Sequence, residues 1–158
     1  MMGVNKSLNP ILIKDYDQEF EMIVVEVKIQ NKDIRIITGY GPQENWIEED
    51  RVPFYLALEE EIITAELQGA SIIIEMDSNS KLGPDFITND PHQQTNNGKL
   101  LAGIIQRHGL VVANALNAVC VGKITRRRET VKGIEESIID HVIISSDLVK
   151  YLQSVSAP

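Results

Sequence analysis

The chain lacks the features that mark several protein classes. Its 158 residues include one cysteine, Cys120, so no disulfide can form within the chain and a reducing compartment is expected. No apolar run is long enough to span a bilayer, and the N-terminal MMGVNKSLNP has no apolar core of a signal peptide. We therefore expect an intracellular protein, nuclear or cytoplasmic, with no membrane partner.

Positive charge is also scarce. Fifteen Lys and Arg residues stand against 23 Asp and Glu residues, which gives a formal net charge of −8 and a pI of about 4.9. Because nonspecific nucleic-acid binders are usually basic, this balance argues against a passive DNA-coating role. It does not exclude a nuclease, because a bound metal ion and one local basic patch can make the contact with the phosphates.

No repeat, low-complexity tract or linker interrupts the sequence. With 43% hydrophobic and 24% charged residues, the composition is that of an ordinary globular protein. The length predicts one domain, residues 1–158, which is large enough to bury a real core.

Hydrophobic periodicity predicts a mixed α/β fold. Apolar or alternating β-rich runs predict strands at Ile11–Ile13, Met22–Ile29, Ile34–Thr38, Ser71–Met76, Leu110–Ala113, Val119–Thr125 and Ser137–Ile144. Helical spacing of apolar residues predicts helices at Asp50–Leu67, Lys99–His108 and, briefly, Leu148–Leu152. The first long helix joins two predicted strands, as in a strand–helix–strand unit.

The segment Ser71–Gly83, SIIIEMDSNSKLG, carries the main candidate chemistry. An apolar strand delivers Asp77 and Asn79 to a loop, where α/β proteins place functional groups. Two positions apart, the two side chains point the same way in extended chain. A carboxylate beside an amide suits a phosphate ester and a hard cation, with Asp77 as base or ligand. The alternative is that D-S-N-S is only turn chemistry after a strand.

Three further segments bring candidate site residues. Gly and Pro stop the strand around Tyr40 and Gln43 and leave these two side chains on a rim loop. The run Arg126–Arg128 is predicted near the tip of a hairpin, either as a phosphate contact or as a solvated loop. On a strand these arginines would face alternate sides. Asp140 and His141 lie inside an apolar run, where charged groups need partners in a hydrogen-bond network or a catalytic dyad.

Six motifs follow one another in a characteristic order. They are Y-G-P-Q-E at Tyr40–Glu44, D-x-N at Asp77–Asn79, N-N-G-K-L-L at Asn96–Leu101, G-L-V-V-A-N at Gly109–Asn114, the pair Thr125-Arg126, and I-D-H-V-I-I-S at Ile139–Ser145. Together they resemble the endonuclease/exonuclease/phosphatase superfamily. The most similar branch is the endonuclease domain of non-LTR retrotransposons, a relative of apurinic/apyrimidinic endonucleases and pancreatic deoxyribonuclease. The resemblance covers roughly Met22 to the C-terminus.

The resemblance implies a two-sheet β-sandwich flanked by helices, in a four-layer arrangement. It also implies Mg²⁺-dependent phosphodiester cleavage at one rim, with Mn²⁺ as a substitute ion. Asp77 would orient or deprotonate the attacking water, Asn79 would contact the scissile phosphate, and both would be metal ligands. Asp140 would orient a catalytic histidine, and Tyr40 would support the phosphate site. In-line attack on a phosphate needs such a positioned water, a charge clamp and a metal.

Four more residues are candidates for substrate contacts: Gln43 and Thr125 by the resemblance, and Arg126 and Arg128 by their charge. Departures from the family pattern accompany them. Met76 stands where Gly usually precedes the D-x-N motif, Ser78 replaces an aromatic or aliphatic residue, and Gln43 replaces an asparagine.

Two family elements find no match in the sequence, the metal-binding glutamate of an early strand and the Ser-Asp-His motif. The chain is therefore expected to be a partial domain without its first third and its last strand. His141 is a poor substitute for the missing histidine, because it faces away from its neighbour Asp140 on a strand.

Three functions stay open. The first is a metal-dependent DNA endonuclease from a reverse transcriptase-associated, retrotransposon-derived reading frame, weak or inactive as this chain. The second is a catalytically dead remnant that acts as a binding or scaffold domain, and the third is a phosphatase of the same fold. The loops at Leu82–Asn96 and Arg126–Arg128 would distinguish DNA from small substrates. Exposed sheet edges are expected to favour self-association.

Overall fold

The computed structural model describes residues 6–16, 20–87, 92–116, 120–121, 124–131 and 133–156. Its long helices are α1 (Glu48–Leu67) and α2 (Asn96–Arg107). The strands are β1 (Ile11–Asp15), β2 (Met22–Ile29), β3 (Lys32–Tyr40), β4 (Ser71–Asp77), β5 (Leu110–Val112), β6 (Cys120–Val121), β7 (Arg126–Thr130), β8 (Gly133–Ser137), β9 (Asp140–Ser145) and β10 (Val155–Ser156). Short 3₁₀ helices cover Lys6–Leu8, Ala113–Ala115 and Ser146–Tyr151.

A six-stranded sheet with the order β1-β2-β3-β4-β9-β5 forms the centre of the fold. β3 and β4 are parallel and are connected through α1, whereas the other neighbours in this sheet are antiparallel. Two small two-stranded sheets accompany it, parallel β10-β6 and antiparallel β7-β8. The predicted mixed α/β class with flanking helices is confirmed. None of the helices among the described residues is long and apolar enough to cross a membrane.

Both long helices pack on one face of this sheet. In α1, the buried side chains of Phe54, Leu58, Ile62 and Ala65 recur at helical spacing and meet those of β2, β3 and β4 in one hydrophobic cluster. α2 contributes its own apolar stripe to the same cluster. Smaller clusters lie on the other face, around Ile34 and Ile36 and around Ile144 and Leu148. The side chains that alternate onto that second face continue to the candidate site at the strand ends.

Several predicted boundaries need correction. The predicted last strand Ser137–Ile144 is two strands, because Ser137 ends β8 and Asp140 begins β9. Between them, Ile139 accepts a hydrogen bond from the Ser78 N–H and donates its own N–H to the Thr125 hydroxyl oxygen. These bonds to other loops replace the ladder at that point. The predicted strand Leu110–Ala113 ends one residue earlier, and the predicted helix Leu148–Leu152 is a 3₁₀ helix that begins at Ser146.

The predicted strand Val119–Thr125 is also wrong in extent. The described part is β6 at Cys120–Val121, Thr125 lies outside any strand, and residues 119, 122 and 123 are outside the described residues. The arginine cluster was predicted near the tip of a hairpin, but it lies at its base. Pairing runs from Arg126 opposite Ser137 to Thr130 opposite Gly133, so the arginines are part of the paired strand.

A buried ionic cluster joins β2 and β3 to α1. Arg35 of β3 is only 2% exposed, and its Nη2 donates to Glu26 Oε2 at 3.1 Å and to Gln68 Oε1 at 2.6 Å. Its Nη1 reaches Glu61 Oε2 at 3.4 Å, and the Tyr16 hydroxyl donates to Glu61 Oε1 at 2.8 Å. A buried guanidinium needs such partners, so this cluster fixes α1 against β2 and β3.

Candidate functional site

A polar pocket of about 690 Å³ opens where three strands of the central sheet end. It is lined by Tyr40, Gln43, Glu44, Asn45, Asp77, Asn79, Thr125, Arg126, Arg128, Ile139 and Asp140. The set includes all eight residues to which the sequence analysis gives a role in catalysis, substrate binding or metal binding, but not Arg127 or His141.

Strand register explains the convergence. Tyr40 ends β3 directly beside Asp77, the last residue of β4, and Asp77 lies opposite Asp140, the first residue of β9. Met76 is buried on the helix side of β4, so alternation directs Asp77 and Asp140 to the other face. Tyr40 is 42% exposed and can contact a bound molecule. The two carboxylates and the phenol therefore share one rim.

His141 lies on the wrong side of the sheet for this pocket. It pairs with Met76 on the helix side, is 1% exposed, and its Nε2 lies 3.3 Å from the Ser80 carbonyl oxygen. The other two histidines are also occupied elsewhere. His92 Nε2 contacts the Glu136 carbonyl at 2.5 Å, and His108 lies between α1 and α2. None of the chain's three histidines lines the pocket.

Asp77 is in an environment that favours its protonated form. Burial raises the pKa of the Asp77 carboxyl, and the negative charge of Asp140 raises it further. The Asn79 backbone N–H, which donates to Asp77 Oδ1 at 3.0 Å, and the charge of Arg126 lower it. A carboxylate with a raised pKa is a better proton acceptor than an ordinary aspartate.

Asn79 holds the rim loop (residues 40–45) as well as facing the pocket. Its φ of 46° is in the left-handed region, which Asn tolerates better than most residues. The side-chain Nδ2 donates to the Gly41 carbonyl at 2.8 Å, and the Gly41 N–H donates to the Asp77 carbonyl at 2.7 Å. A Cβ at Gly41 would lie 2.7 Å from the Ser78 carbonyl oxygen. The close approach of the two loops therefore requires glycine at this position.

Ser78 stands where the family pattern has an aromatic or aliphatic residue, and a second serine, Ser80, follows in the same loop. Ser78 and Ser80 are both fully buried, their hydroxyl oxygens are 2.7 Å apart, and Ser78 Oγ donates to the Ile139 carbonyl at 2.8 Å. The loop is thus fastened to the segment before β9 by hydrogen bonds. This holds Asp77 and Asp140 on facing strand ends.

Asp140 is fixed by its backbone. The Thr125 hydroxyl oxygen accepts from the N–H groups of Ile139 at 3.0 Å and Asp140 at 3.1 Å. From the other side, Asn114 Nδ2 donates to the Asp140 carbonyl at 3.0 Å and Asn114 Oδ1 accepts from the Val142 N–H at 3.1 Å. The supporting role of Asn114 was not predicted; its only signal in the sequence was a polar side chain at the end of an apolar strand.

The arginines of β7 divide between two sides, as their spacing predicts. Arg126 and Arg128 line the pocket, whereas Arg127 Nε donates to Glu136 Oε1 at 2.8 Å on the neighbouring strand. All three are exposed. Two guanidinium groups thus stand beside two carboxylates, an arrangement that can hold a phosphate while a base acts on water.

The described residues supply only part of a metal site. No group of three His, Cys, Asp or Glu side chains among them could hold a metal ion. Asp77 and Asn79 have side-chain oxygens that can bind a metal ion. The side-chain nitrogen of Asn79 donates a hydrogen bond to the rim loop. Because Mg²⁺ requires a nearly octahedral set of oxygens, two ligands from one loop leave most positions to water and substrate.

Three pocket residues, Glu44, Asn45 and Ile139, were not predicted as site residues. Glu44 connects the pocket to α2: its Oε1 accepts from the Asn96 N–H at 2.8 Å and its Oε2 from the Asn97 N–H at 3.1 Å. The sequence shows only that a helix beginning T-N-N-G has N–H groups that need acceptors, and not that Glu44 supplies them.

No family model and no curated protein sequence matches the chain. Among solved structures it is similar to the endonuclease domain of TRAS1, a telomere-specific non-LTR retrotransposon, with a TM-score of 0.61 and 18% identity over 92% of this chain and 59% of that one. It is also similar to D. rerio TDP2, crystallised with a single-strand DNA product, with a TM-score of 0.54 and 13% identity over 79% of this chain and 46% of that one.

At these identities the comparisons establish the fold. The chain has the fold of the TRAS1 endonuclease domain and of TDP2, as the resemblance seen in the sequence implied. It spans 59% of the TRAS1 domain and 46% of the TDP2 chain.

Proposed function

We propose that the chain is a metal-dependent phosphodiester hydrolase domain of the retrotransposon endonuclease kind, with DNA as its substrate. The observation that carries the proposal is the pocket, in which Asp77 and Asp140, at facing strand ends of the central sheet, lie beside Arg126 and Arg128 of β7. The fold shared with the TRAS1 endonuclease domain supports the same reaction class.

Each pocket residue has a role that its chemistry supports. Asp77, with its raised pKa, accepts a proton from the attacking water. Arg126 and Arg128 bind the negatively charged phosphate oxygens. Tyr40 and Asn79 hold the phosphate in line with the water. Asp140, opposite Asp77, keeps the site acidic enough to attract a cation.

Gln43 and Thr125 complete the substrate contacts. Both line the pocket, and the Thr125 hydroxyl keeps a proton to donate while its oxygen accepts from the backbone. A bound Mg²⁺ or Mn²⁺ ion would supply positive charge to a phosphate oxygen, with Asp77 and Asn79 as its protein ligands. Because this ligand set is small, we expect weak cation binding before the substrate arrives.

Cleavage by this chain alone should be slow. A pocket without a histidine lacks the general acid or base that most commonly transfers protons. Removing one member of a cooperative catalytic unit typically costs several orders of magnitude in rate. A non-catalytic binding domain is therefore the second candidate function. The observation that supports it is that none of the three histidines lines the pocket.

A nicking assay tests the enzyme proposal. Supercoiled plasmid is incubated with a high concentration of the chain and Mg²⁺ or Mn²⁺, beside the Asp77→Ala variant. Asp33→Ala, which removes a surface carboxylate on the β2–β3 hairpin, is the matched control. We expect slow nicking by the wild type and the control and none by Asp77→Ala. Nicking that survives in Asp77→Ala would contradict the assignment of the base.

A binding assay tests the substrate contact. Fluorescence anisotropy with labelled duplex DNA should show at least tenfold weaker binding for Arg126→Ala/Arg128→Ala, since two phosphate contacts are lost. Arg127→Ala, on the opposite side of β7, should bind almost as wild type. Binding without Asp77-dependent nicking would assign a binding domain. Asp77-dependent hydrolysis of p-nitrophenyl phosphate without nicking would assign a phosphatase.

A further inference from the structure

The side chain of Glu44, in the rim loop, caps the N-terminus of α2. The first N–H groups of a helix have no partners within the helix and need acceptors from elsewhere. Here the amides of Asn96 and Asn97 both donate to the carboxylate of Glu44, which is 52 residues distant from Asn96 in the chain. The third amide, of Gly98, donates to the Thr95 hydroxyl oxygen at 3.2 Å. Glu44 thus supplies two of the three acceptors.

The connection is reciprocal. Asn97, which is fully buried, donates from its side-chain Nδ2 to the Pro42 carbonyl at 2.7 Å. The preceding carbonyl, of Gly41, accepts from Asn79 Nδ2. Two successive carbonyls of the rim loop are therefore held by two asparagine amides, one from the β4 loop and one from α2. We call the exchange between Glu44 and Asn97 the rim clamp.

The rim clamp also explains why an acidic side chain can lie in a pocket suited to phosphate. The partial positive charge at the N-terminus of α2 stabilises the Glu44 carboxylate. Arg51 Nη1 lies 3.8 Å from Glu44 Oε1 on the other side. The negative charge is thereby compensated within the protein, and Arg126 and Arg128 remain to bind a substrate phosphate.

We propose that Glu44 is a positioning residue, which sets the position of Tyr40 and Gln43 over Asp77 by fastening the rim loop to α2. The role of Tyr40 and Gln43 in binding phosphate rests on the proposed function, whereas the rim clamp itself does not. Glu44 touches no reacting atom in this proposal. It acts through the backbone of residues 40–45.

NMR of the folded chain tests the rim clamp without any substrate. In Glu44→Ala, hydrogen exchange of the Asn96 and Asn97 amides should accelerate about tenfold, the effect of removing a helix cap. Exchange at Gly98, which Thr95 caps, should change little. The amide resonances of Tyr40 and Gln43 should shift, because the loop loses its anchor. Glu48→Ala, an exposed acid in the first turn of α1, is the matched control and should leave all these signals in place.

A conservative variant keeps the test decisive if Glu44→Ala unfolds the chain. Glu44→Gln has one acceptor oxygen, so it should protect one of the two amides and shift Tyr40 and Gln43 less. Unchanged exchange at both amides in Glu44→Gln and Glu44→Ala would overturn the proposal. So would accelerated exchange with the Tyr40 and Gln43 resonances unmoved, since Glu44 would then cap α2 without positioning the loop.

DNA-binding measurements test the positioning role of Glu44 separately from the proposed function. At a temperature at which all variants are folded, the dissociation constant for duplex DNA should rise by a similar factor in Glu44→Ala and Gln43→Ala and not in Glu48→Ala. Failure of the wild type to bind DNA would contradict the proposed function, and the exchange data would still decide on the rim clamp. Binding that depends on Gln43 but not on Glu44 would contradict the positioning role.

Discussion

Asp77 links the ionisation of the site to the stability of the fold. Burial, the largest cause, raises the pKa of its carboxyl above 3.8. A raised folded-state pKa means that the protonated form stabilises the fold at low pH, and that this contribution is lost as pH rises through the folded pKa. At neutral pH the charged, half-buried carboxylate therefore lowers the free energy of unfolding.

The pH dependence of the Asp77→Asn variant follows. We expect its melting temperature to exceed that of the wild type at pH 7, and the difference to shrink as pH falls toward 3.8, the ordinary pKa of aspartate. Thermal unfolding followed by circular dichroism between pH 3 and pH 8 measures this, with Asp33→Asn as control. A lower melting temperature for Asp77→Asn at pH 7 would contradict the expected sign.

Two glycines of α2 make opposite predictions. A Cβ at Gly98 would lie 2.0 Å from the Lys81 carbonyl oxygen, whereas at Gly103 the nearest atom is the flexible end of Arg107. Gly98→Ala should lower the free energy of unfolding by about 1–3 kcal/mol or more. Gly103→Ala should be neutral or stabilise by up to about 1 kcal/mol through helix propensity. Urea denaturation of both variants checks the pair, and equal midpoints would show that α2 does not approach the Lys81 loop this closely.

At the scale of secondary-structure elements, Arg107 and His108 at the end of α2 contact two acidic side chains of α1. We call this set of contacts, with Glu59 and Glu66, the helix clasp. Arg107 donates to both carboxylate oxygens of Glu59, at 2.7 and 2.9 Å. The two ring nitrogens of His108 lie 2.9 Å from Glu66 and 3.1 Å from Glu59. The Arg107 guanidinium lowers the pKa of Glu59, and His108 lowers it further against the opposing effect of burial. The helix clasp joins the two helices at the end far from Thr95.

Acid should open the helix clasp. A lowered folded-state pKa gives stability above the unfolded value of 4.5, which is lost as pH falls through the folded pKa. We expect Glu59→Gln to lower the free energy of unfolding at pH 7 by less than about 1 kcal/mol, as for exposed ion pairs, and by almost nothing at pH 3. Urea titrations at the two pH values measure this difference; a loss that is larger at pH 3 would exclude the mechanism.

Strands and helices that follow from a local sequence pattern could be predicted, whereas features that depend on hydrogen bonds from distant parts of the chain could not. Local patterns of apolar residues predict β2 and β4, and β2 begins and ends at the predicted residues. The break at Ile138 and Ile139 could not be predicted, because its cause is a pair of hydroxyl groups, Ser78 and Thr125, from distant parts of the chain. The pocket could be predicted because strand ends gather polar side chains. The rim clamp could not, since no local pattern pairs Glu44 with α2.

At the scale of the molecule, the central sheet has an open side. β1 has β2 as its neighbour in the sheet order of the described residues, and its Ile11, Leu12 and Ile13 are 62%, 60% and 41% exposed. An exposed apolar edge strand is a template for pairing with another strand. The bulge between Leu12 and Lys14 protects only part of this edge.

Self-association is the expected consequence. Light scattering after size exclusion should give a mass that rises with concentration above the 17.7 kDa of one chain. Leu12→Lys should return the mass toward that of a monomer, because a charge on the edge discourages pairing. Ile47→Lys, at an equally exposed apolar residue before α1, is the control and should not. Equal masses for Leu12→Lys and wild type would exclude association through β1.

The structure at the start of α2 affects how readily Asn97 is deamidated. In a flexible chain, an Asn-Gly pair such as Asn97-Gly98 readily loses ammonia, because the glycine amide attacks the asparagine side chain; asparagine is for this reason a thermolabile residue. Here the Gly98 amide is bound to Thr95 and the Asn97 side chain is bound to Pro42, so the attacking and attacked groups are held in other bonds. Folded samples should keep their mass at this site through long storage, and samples held in urea should gain about one dalton there. The carboxylate so formed would face the Pro42 carbonyl oxygen without a proton to donate, so a chain damaged in this way should not rebuild the rim loop on refolding.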